Sequence, residues 1–170
     1  MFRAQGVPRS IGHILENNFL RCSIVMEVFR LGAYLAPMPA TPFAFPIRVL
    51  PEDIDFMGHV NNARYLNWVQ DAVLAHWRKL APAEEVASKA WVALKHEITY
   101  RKPAFLEDDV IASTVLEGFK GARAFYSTVI KRGEVVLAEV QSAWCCIDAE
   151  TLRPARINDS MRSVFFPAAQ

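Results

Sequence analysis

From Pro51 to Val73 the chain reads PEDIDFMGHVNNARYLNWVQDAV. Asp53, Asp55, Gly58, His59, Asn61 and Asn62 crowd into ten residues, and an aromatic, apolar run follows at once. A carboxylate in such a cluster can draw a proton from water or attack an electrophilic carbon itself, and an imidazole beside it can orient that water. Each residue also has a plainer reading. Taken alone, Asp55 is a turn or capping acid. Asp53 reads as structural, bonding the backbone of its own loop. Asn61 and Asn62 are as suited to cap the helix as to touch a ligand, with Asn61 the better placed cap of the two. Tyr65 and Trp68 read as core or as pocket wall. Asp71 stands mid-helix among apolar neighbours, where an unpaired buried carboxylate is costly, so it needs a partner or an opening. His96, on the apolar side of a later strand, reads first as a core histidine.

The elements that must hold this cluster follow from hydrophobic period. FAFPIRVL alternates as a strand, with Phe43, Phe45, Ile47 and Val49 on one side, and Pro46 suits an edge. Asn62 to Leu80 reads as a helix with a broad apolar face, wide enough to predict burial round most of its girth. Ala81 to Lys89 is a short helical connector. Four strands follow: WVALKHEITYRKPA, with Val92, Leu94, His96, Ile98 and Tyr100 on one face, then DDVIASTVLEGF, ARAFYSTVIKR and GEVVLAEVQSAWCCID. Turns at Lys120-Gly121 and Arg132-Gly133 predict antiparallel hairpins. One helix cannot cover both faces of such a sheet but can lie along the concave face of a curved one. INDSMRSVFF predicts a short final helix begun by Asn158 or Asp159.

The 170 residues, 52% hydrophobic, suit one domain with a real core. A formal net charge of +1 gives no case for nucleic acid or an anionic membrane as partner. Cys22, Cys145 and Cys146 lack metal-ligand spacing, and no P-loop or dinucleotide-binding glycine pattern occurs, so neither a metal nor another cofactor is expected. Reduced thiols fit a cytoplasmic protein. The segment FLRCSIVMEVFRLGAYLA is apolar, but Arg21, Glu27 and Arg30 interrupt it. An arginine at a bilayer centre costs about 2.5–3.5 kcal/mol, which argues against an integral membrane span. Residues 1–42 thus read as an N-terminal helical segment and a Pro-rich linker, or as sequence upstream of a start at Met38, and residues 43–170 as the folded domain.

Two pieces, DIDFMGHVNNARY and YRKPAFLEDDV, resemble those of the hotdog-fold acyl-CoA thioesterases, in particular the 4-hydroxybenzoyl-CoA thioesterase-like and bacterial long-chain acyl-CoA groups. The resemblance runs from Phe43 to Phe166. It implies an α+β hotdog fold, with a long central helix wrapped by a curved antiparallel five-stranded sheet, and hydrolysis of an acyl-CoA thioester to free acid and coenzyme A. It puts the catalytic carboxylate on Asp55, as base or nucleophile, and the oxyanion hole at the helix N-terminus near Asn62. Unpaired first-turn N–H groups backed by the helix dipole suit that task. His59 joins the catalytic set as a residue that orients water or meets the pantetheine arm. Gly58, Asn61, Tyr65, Trp68 and Asp71 become substrate-binding candidates, with Asp71 the runner-up base. The plant acyl-carrier-protein thioesterases carry an asparagine two positions after the acid; Met57 stands there in this chain. Arg101, Lys102, Lys120, Arg123 and Arg156 are the cations available to coenzyme A phosphates. The family's habit of joining sheets at their edges implies a homodimer or homotetramer, with Asp55 near the second chain. The rival reading is a non-catalytic acyl-CoA-binding hotdog protein. A hotdog dehydratase or hydratase would need a G-H-F-P-like loop or an N-P-x-H histidine, and GHVNN has neither.

Because the resemblance starts at Phe43, a chain begun at Met38 is expected to fold and keep the implied activity. An insoluble or inactive truncation beside an active full-length protein would make the Arg21–Ala36 segment part of the fold or assembly.

Overall fold

The structure, a computed structural model, describes residues 41–167; the helix expected at Arg21–Ala36, and Cys22 within it, lie outside them. Strand β1 (Phe43–Arg48) carries Pro46 where a sheet edge tolerates a missing N–H, and it pairs with a single neighbour. A single 3-10 turn (Pro51–Asp53) and a tight loop lead into helix α1 (Asn62–Leu80). Asn61 caps this helix, its side-chain oxygen accepting from Ala63 N at 2.9 Å. The buried residues Tyr65, Trp68, Val69, Ala72, Val73, His76 and Trp77 recur at helical spacing and define one stripe. Burial round most of the girth does not occur. Asn67, Gln70, Asp71, Arg78 and Lys79 form an exposed polar face, because only one side of the helix meets the sheet.

Helix α2 (Ala83–Ser88) leads to β2 (Lys89–Tyr100), followed by β3 (Asp109–Lys120), β4 (Arg123–Arg132), β5 (Val135–Asp148) and helix α3 (Asp159–Phe165), which Asn158 caps through Met161 N. The sheet order is β1-β3-β4-β5-β2, antiparallel throughout. Strands β3, β4 and β5 form the meander, with Gly121 and Gly133 at φ 63° and 54° supplying the left-handed turn residues. Of the four strands expected in succession, the first, β2, stays outside the meander and lies beyond β5 at the far edge. Its link to β3 is not a hairpin turn but a loop that passes the start of α1. The open edges are therefore β1 and β2.

A second correction concerns the faces of β2. The register against β5 slips between Ala93 and Lys95, so Leu94 is an extra residue in a bulge. Trp91 and Ala93 face inward before it; His96, Ile98 and Tyr100 do so after it. Val92 and Leu94, expected on the same face as His96, are instead 45% and 51% exposed. An unbroken alternation cannot anticipate a bulge.

The core fills the space between α1 and the inner face of the sheet. Thr114 and Thr128 face each other there and satisfy one another through a 2.8 Å hydroxyl pair. Helix α3 closes the far end of α1, with Phe165 stacked on Trp77 at 5.6 Å. Cys145 is half-buried, Cys146 is buried, and both are free thiols.

His76 lies inside this aromatic packing, stacked on Phe43 at 5.2 Å and edge-on to Tyr126 and Phe165. Burial, helped by the Lys79 ammonium, lowers its pKa from 6.5 to about 4. The folded state therefore resists a proton that the unfolded chain accepts. This contribution is fully present above pH 6.5 and is lost as the pH falls from there toward 4. The unfolding free energy of the wild type, from urea titration, is expected to drop between pH 7.5 and pH 5 by about 2 kcal/mol more than that of His76→Phe. Equal losses in the two proteins would show that His76 does not carry the acid sensitivity.

Candidate active site

The loop between β1 and α1 is held from both ends. Asp53 is 1% exposed: its Oδ2 accepts from Leu50 N at 2.9 Å, its other oxygen pairs with the Arg64 guanidinium, and its carbonyl accepts from Asn61 N at 2.8 Å. It thereby fastens the start of the loop to the first turn of α1, the structural role its sequence position suggests. Inside this clasp an isolated bridge joins Ile54 to Val60. Asp55 N donates to the His59 carbonyl at 2.9 Å, and Gly58 N donates to the Asp55 carbonyl at 3.0 Å. The resulting turn forces Gly58 to φ 81°, a conformation in which a side chain would be strained.

Asp55 opens that turn. Its Oδ1 accepts from Met57 N at 2.8 Å, while its Oδ2 lies 3.7 Å from His59 Nδ1, close enough for electrostatic attraction but too long for a hydrogen bond. His59 Nδ1 donates instead to the Val60 carbonyl at 3.2 Å. In a neutral ring this leaves Nε2 as the acceptor. Both side chains are part-exposed, Asp55 at 14% and His59 at 27%, so one carboxylate oxygen and one ring nitrogen remain available at the surface of the loop.

The start of α1 is the other half of the arrangement. Ala63 N is taken by the Asn61 side chain and Arg64 N by the Asn61 carbonyl. Asn62 N has no partner among the described residues. Its own carbonyl accepts from the Tyr100 hydroxyl at 2.8 Å. The loop after β2 is laced to the same place: Val60 N donates to the Ala104 carbonyl at 2.9 Å, and Ala104 N donates to the Tyr65 hydroxyl at 3.0 Å. Burial raises the Tyr65 pKa, keeping that phenol protonated.

Asp55, Gly58, His59, Asn61 and Asn62 thus share one short loop and helix start. Tyr65 and Trp68 are buried behind it with ring centroids 4.9 Å apart, and the Tyr65 hydroxyl is already engaged. Asp71 is not brought to the loop. It sits on the exposed face of α1, roughly 13 Å along the helix axis from Asn62, where an ionised carboxylate incurs no burial cost. Tyr100 and Ala104 were not singled out from sequence as site residues. Their signal was the second piece, YRKPA, whose physical role is to strap the acid loop to the helix.

Against known proteins, residues 49–165 match the model of the thioesterase-like superfamily. The chain belongs to this superfamily. The long-chain acyl-CoA thioesterase FadM of Escherichia coli is 30% identical over 124 residues, covering 68% of this chain and 91% of that protein. The acyl-CoA thioesterase YbgC of Haemophilus influenzae is 27% identical, covering 72% of this chain and 93% of that protein. Among solved structures, a probable thioesterase from Bartonella henselae superposes with a TM-score of 0.62 at 27% identity, covering 69% of this chain and 98% of that one. The expectations of a hotdog fold and of a thioester hydrolase are borne out. Among the described residues no helix is long and apolar enough to cross a membrane.

Proposed function

We propose that this thioesterase hydrolyses acyl-CoA thioesters, with Asp55 as base or nucleophile and the Asn62 amide as oxyanion donor. The observation that carries the reading is the unpartnered Asn62 N–H at the positive end of α1, on the same short loop as an acid with an uncommitted oxygen. In one course Asp55 takes a proton from water, and the hydroxide attacks the thioester carbon. In the other the carboxylate attacks first, and water then hydrolyses the anhydride. Either way the carbonyl oxygen becomes negative, Asn62 N–H stabilises it, and the C–S bond breaks with the thiolate of coenzyme A leaving and taking up a proton. One such donor is typically worth about 2.7–4 kcal/mol of barrier. With Nδ1 given to the Val60 carbonyl, Nε2 is the His59 ring nitrogen placed to position water. Acyl-CoA as the substrate is supported by the relatives named above.

A second chain completes the site. Phe56 and Met57, which follow Asp55 in the turn, are 96% and 60% exposed, and Phe105 and Leu106 in the strapping loop are 43% and 45% exposed. Apolar groups gathered around an acid invite cover. The edge strand β2 presents Val92 and Leu94 to solvent beside unpaired backbone groups, which proteins seldom leave open. A homodimer formed along β2 covers both features and accords with the preference for closed symmetric assemblies.

Asp55→Ala, folded by circular dichroism, is expected to lose more than about 90% of kcat for thiol release from acyl-CoA, a loss above ~1.4 kcal/mol of barrier. Retention of a tenth or more would demote Asp55 and make Asp71 the acid to test. Binding of acyl-CoA without turnover by the wild type would favour a binding protein. Light scattering during size-exclusion chromatography is expected to give at least twice the 19.2 kDa chain mass. A fully active monomer at nanomolar concentration would sink the shared site.

A further inference from the structure

Asn62 opens α1, and most of the bonds around its N–H are local. In the peptide that supplies this N–H, the Asn61 carbonyl accepts from Arg64 N at 2.9 Å. Asn61 N donates to the Asp53 carbonyl at 2.8 Å, and Ala63 N donates to the Asn61 side chain at 2.9 Å. These partners all lie within residues 53–64. They set the direction of the Asn62 N–H relative to its own helix turn, but not relative to the sheet.

Among the described residues, one side chain reaches Asn62 from outside that segment. The Tyr100 hydroxyl donates to the Asn62 carbonyl at 2.8 Å. Tyr100 ends β2, the strand at the far edge of the sheet. Helix α1 packs chiefly over β1 and β3, so this bond is its tie to the opposite edge. The bonds that Ala104 makes with Val60 and Tyr65 fasten the neighbouring loop, not Asn62 itself. The helix does not need the Tyr100 bond for its own sake. In an α-helix a first-turn carbonyl already accepts from the N–H four residues on.

The phenol is held in turn. Its ring lies edge-on to Tyr65 at 5.3 Å. Directly after it, Arg101 N and Lys102 N both donate to the Leu137 carbonyl of β5, at 2.8 and 3.2 Å, which pins the end of the strand. Partial burial raises the Tyr100 pKa, so the hydroxyl remains a donor well past neutral pH.

We infer that Tyr100 is a positioning residue for the hydrolysis: its hydroxyl fixes the Asn62 peptide against the sheet, so that the N–H is already aimed where the oxyanion forms. The inference rests on the thioesterase reading and adds to it a residue that acts through Asn62.

The test is Tyr100→Phe, which removes one oxygen and keeps the ring, with folding checked by circular dichroism. Thiol release from acyl-CoA is expected to show kcat about five- to tenfold lower and KM within about twofold of wild type. The pH profile of kcat should keep its shape and lie lower throughout; loss of a limb would make Tyr100 an acid or base instead. A second readout is the infrared carbonyl band of a bound ketone analogue of acyl-CoA, with a methylene in place of the ester sulfur. An aimed donor draws this band to lower wavenumber, and in Tyr100→Phe it should move to higher wavenumber. A merely structural role would lower stability and leave the band in place. The inference is overturned if Tyr100→Phe keeps kcat within about twofold of wild type, if KM alone changes, or if the band does not move. Those results from an active wild type would leave the thioesterase reading standing. No thiol release by the wild type would overturn that reading, and the inference with it.

Discussion

One backbone amide organises the loop: the N–H of Asn62, left without a partner at the positive end of a 19-residue helix. Its neighbours are all spoken for. The Asn61 side chain and carbonyl occupy the next two amides, Asp53 ties Arg64 to the loop, and Tyr100 holds the Asn62 carbonyl. In the proposed reaction these fixed bonds keep a donor oriented before any charge develops, which is where such a donor acts most strongly. Asp55 is held to the same frame by Met57 N and by the bridge beneath the turn. The acid and the donor are placed by the same short set of hydrogen bonds.

That frame depends in turn on the sheet order. Because β2 pairs with β5 at the far edge, the loop leaving β2 must return past the start of α1 to reach β3. This return path lets Ala104 engage both Val60 and Tyr65. The same order leaves one helix to cover five strands. Helix α1 lies over β1 and β3, and the inner face of β2 stays part-open, starting from the helix end that carries the free amide.

Two histidines show how packing divides a common chemistry. His76 is enclosed by aromatic rings from β1, β4 and α3, and there it acts as an aromatic core residue whose protonation opposes folding. His96 has also lost affinity for a proton through burial, but it stands on the part-covered inner face of β2. Both leave Nδ1 without a partner among the described residues. They differ in cover: His76 is buried and His96 is half-buried.

Local pattern determined much of this protein. The bounds of α1, its Asn61 cap, the β3–β4 and β4–β5 turns at Gly121 and Gly133, the final helix capped by Asn158 and the loop carrying Asp55, Gly58 and His59 all follow from residue types a few positions apart. Such features rest on contacts within one turn or hairpin, and spacing encodes them directly. Tertiary structure decided the rest. The crossover of β2 to β5, the bulge that turned Val92 and Leu94 outward, the exposed face of α1 bearing Asp71, and the strap from Tyr100 and Ala104 to the helix start all join residues distant in sequence. Side-chain alternation says that a strand has two faces. Which face is covered, and by what, is fixed only when the competing elements pack together and every buried N–H must find an oxygen.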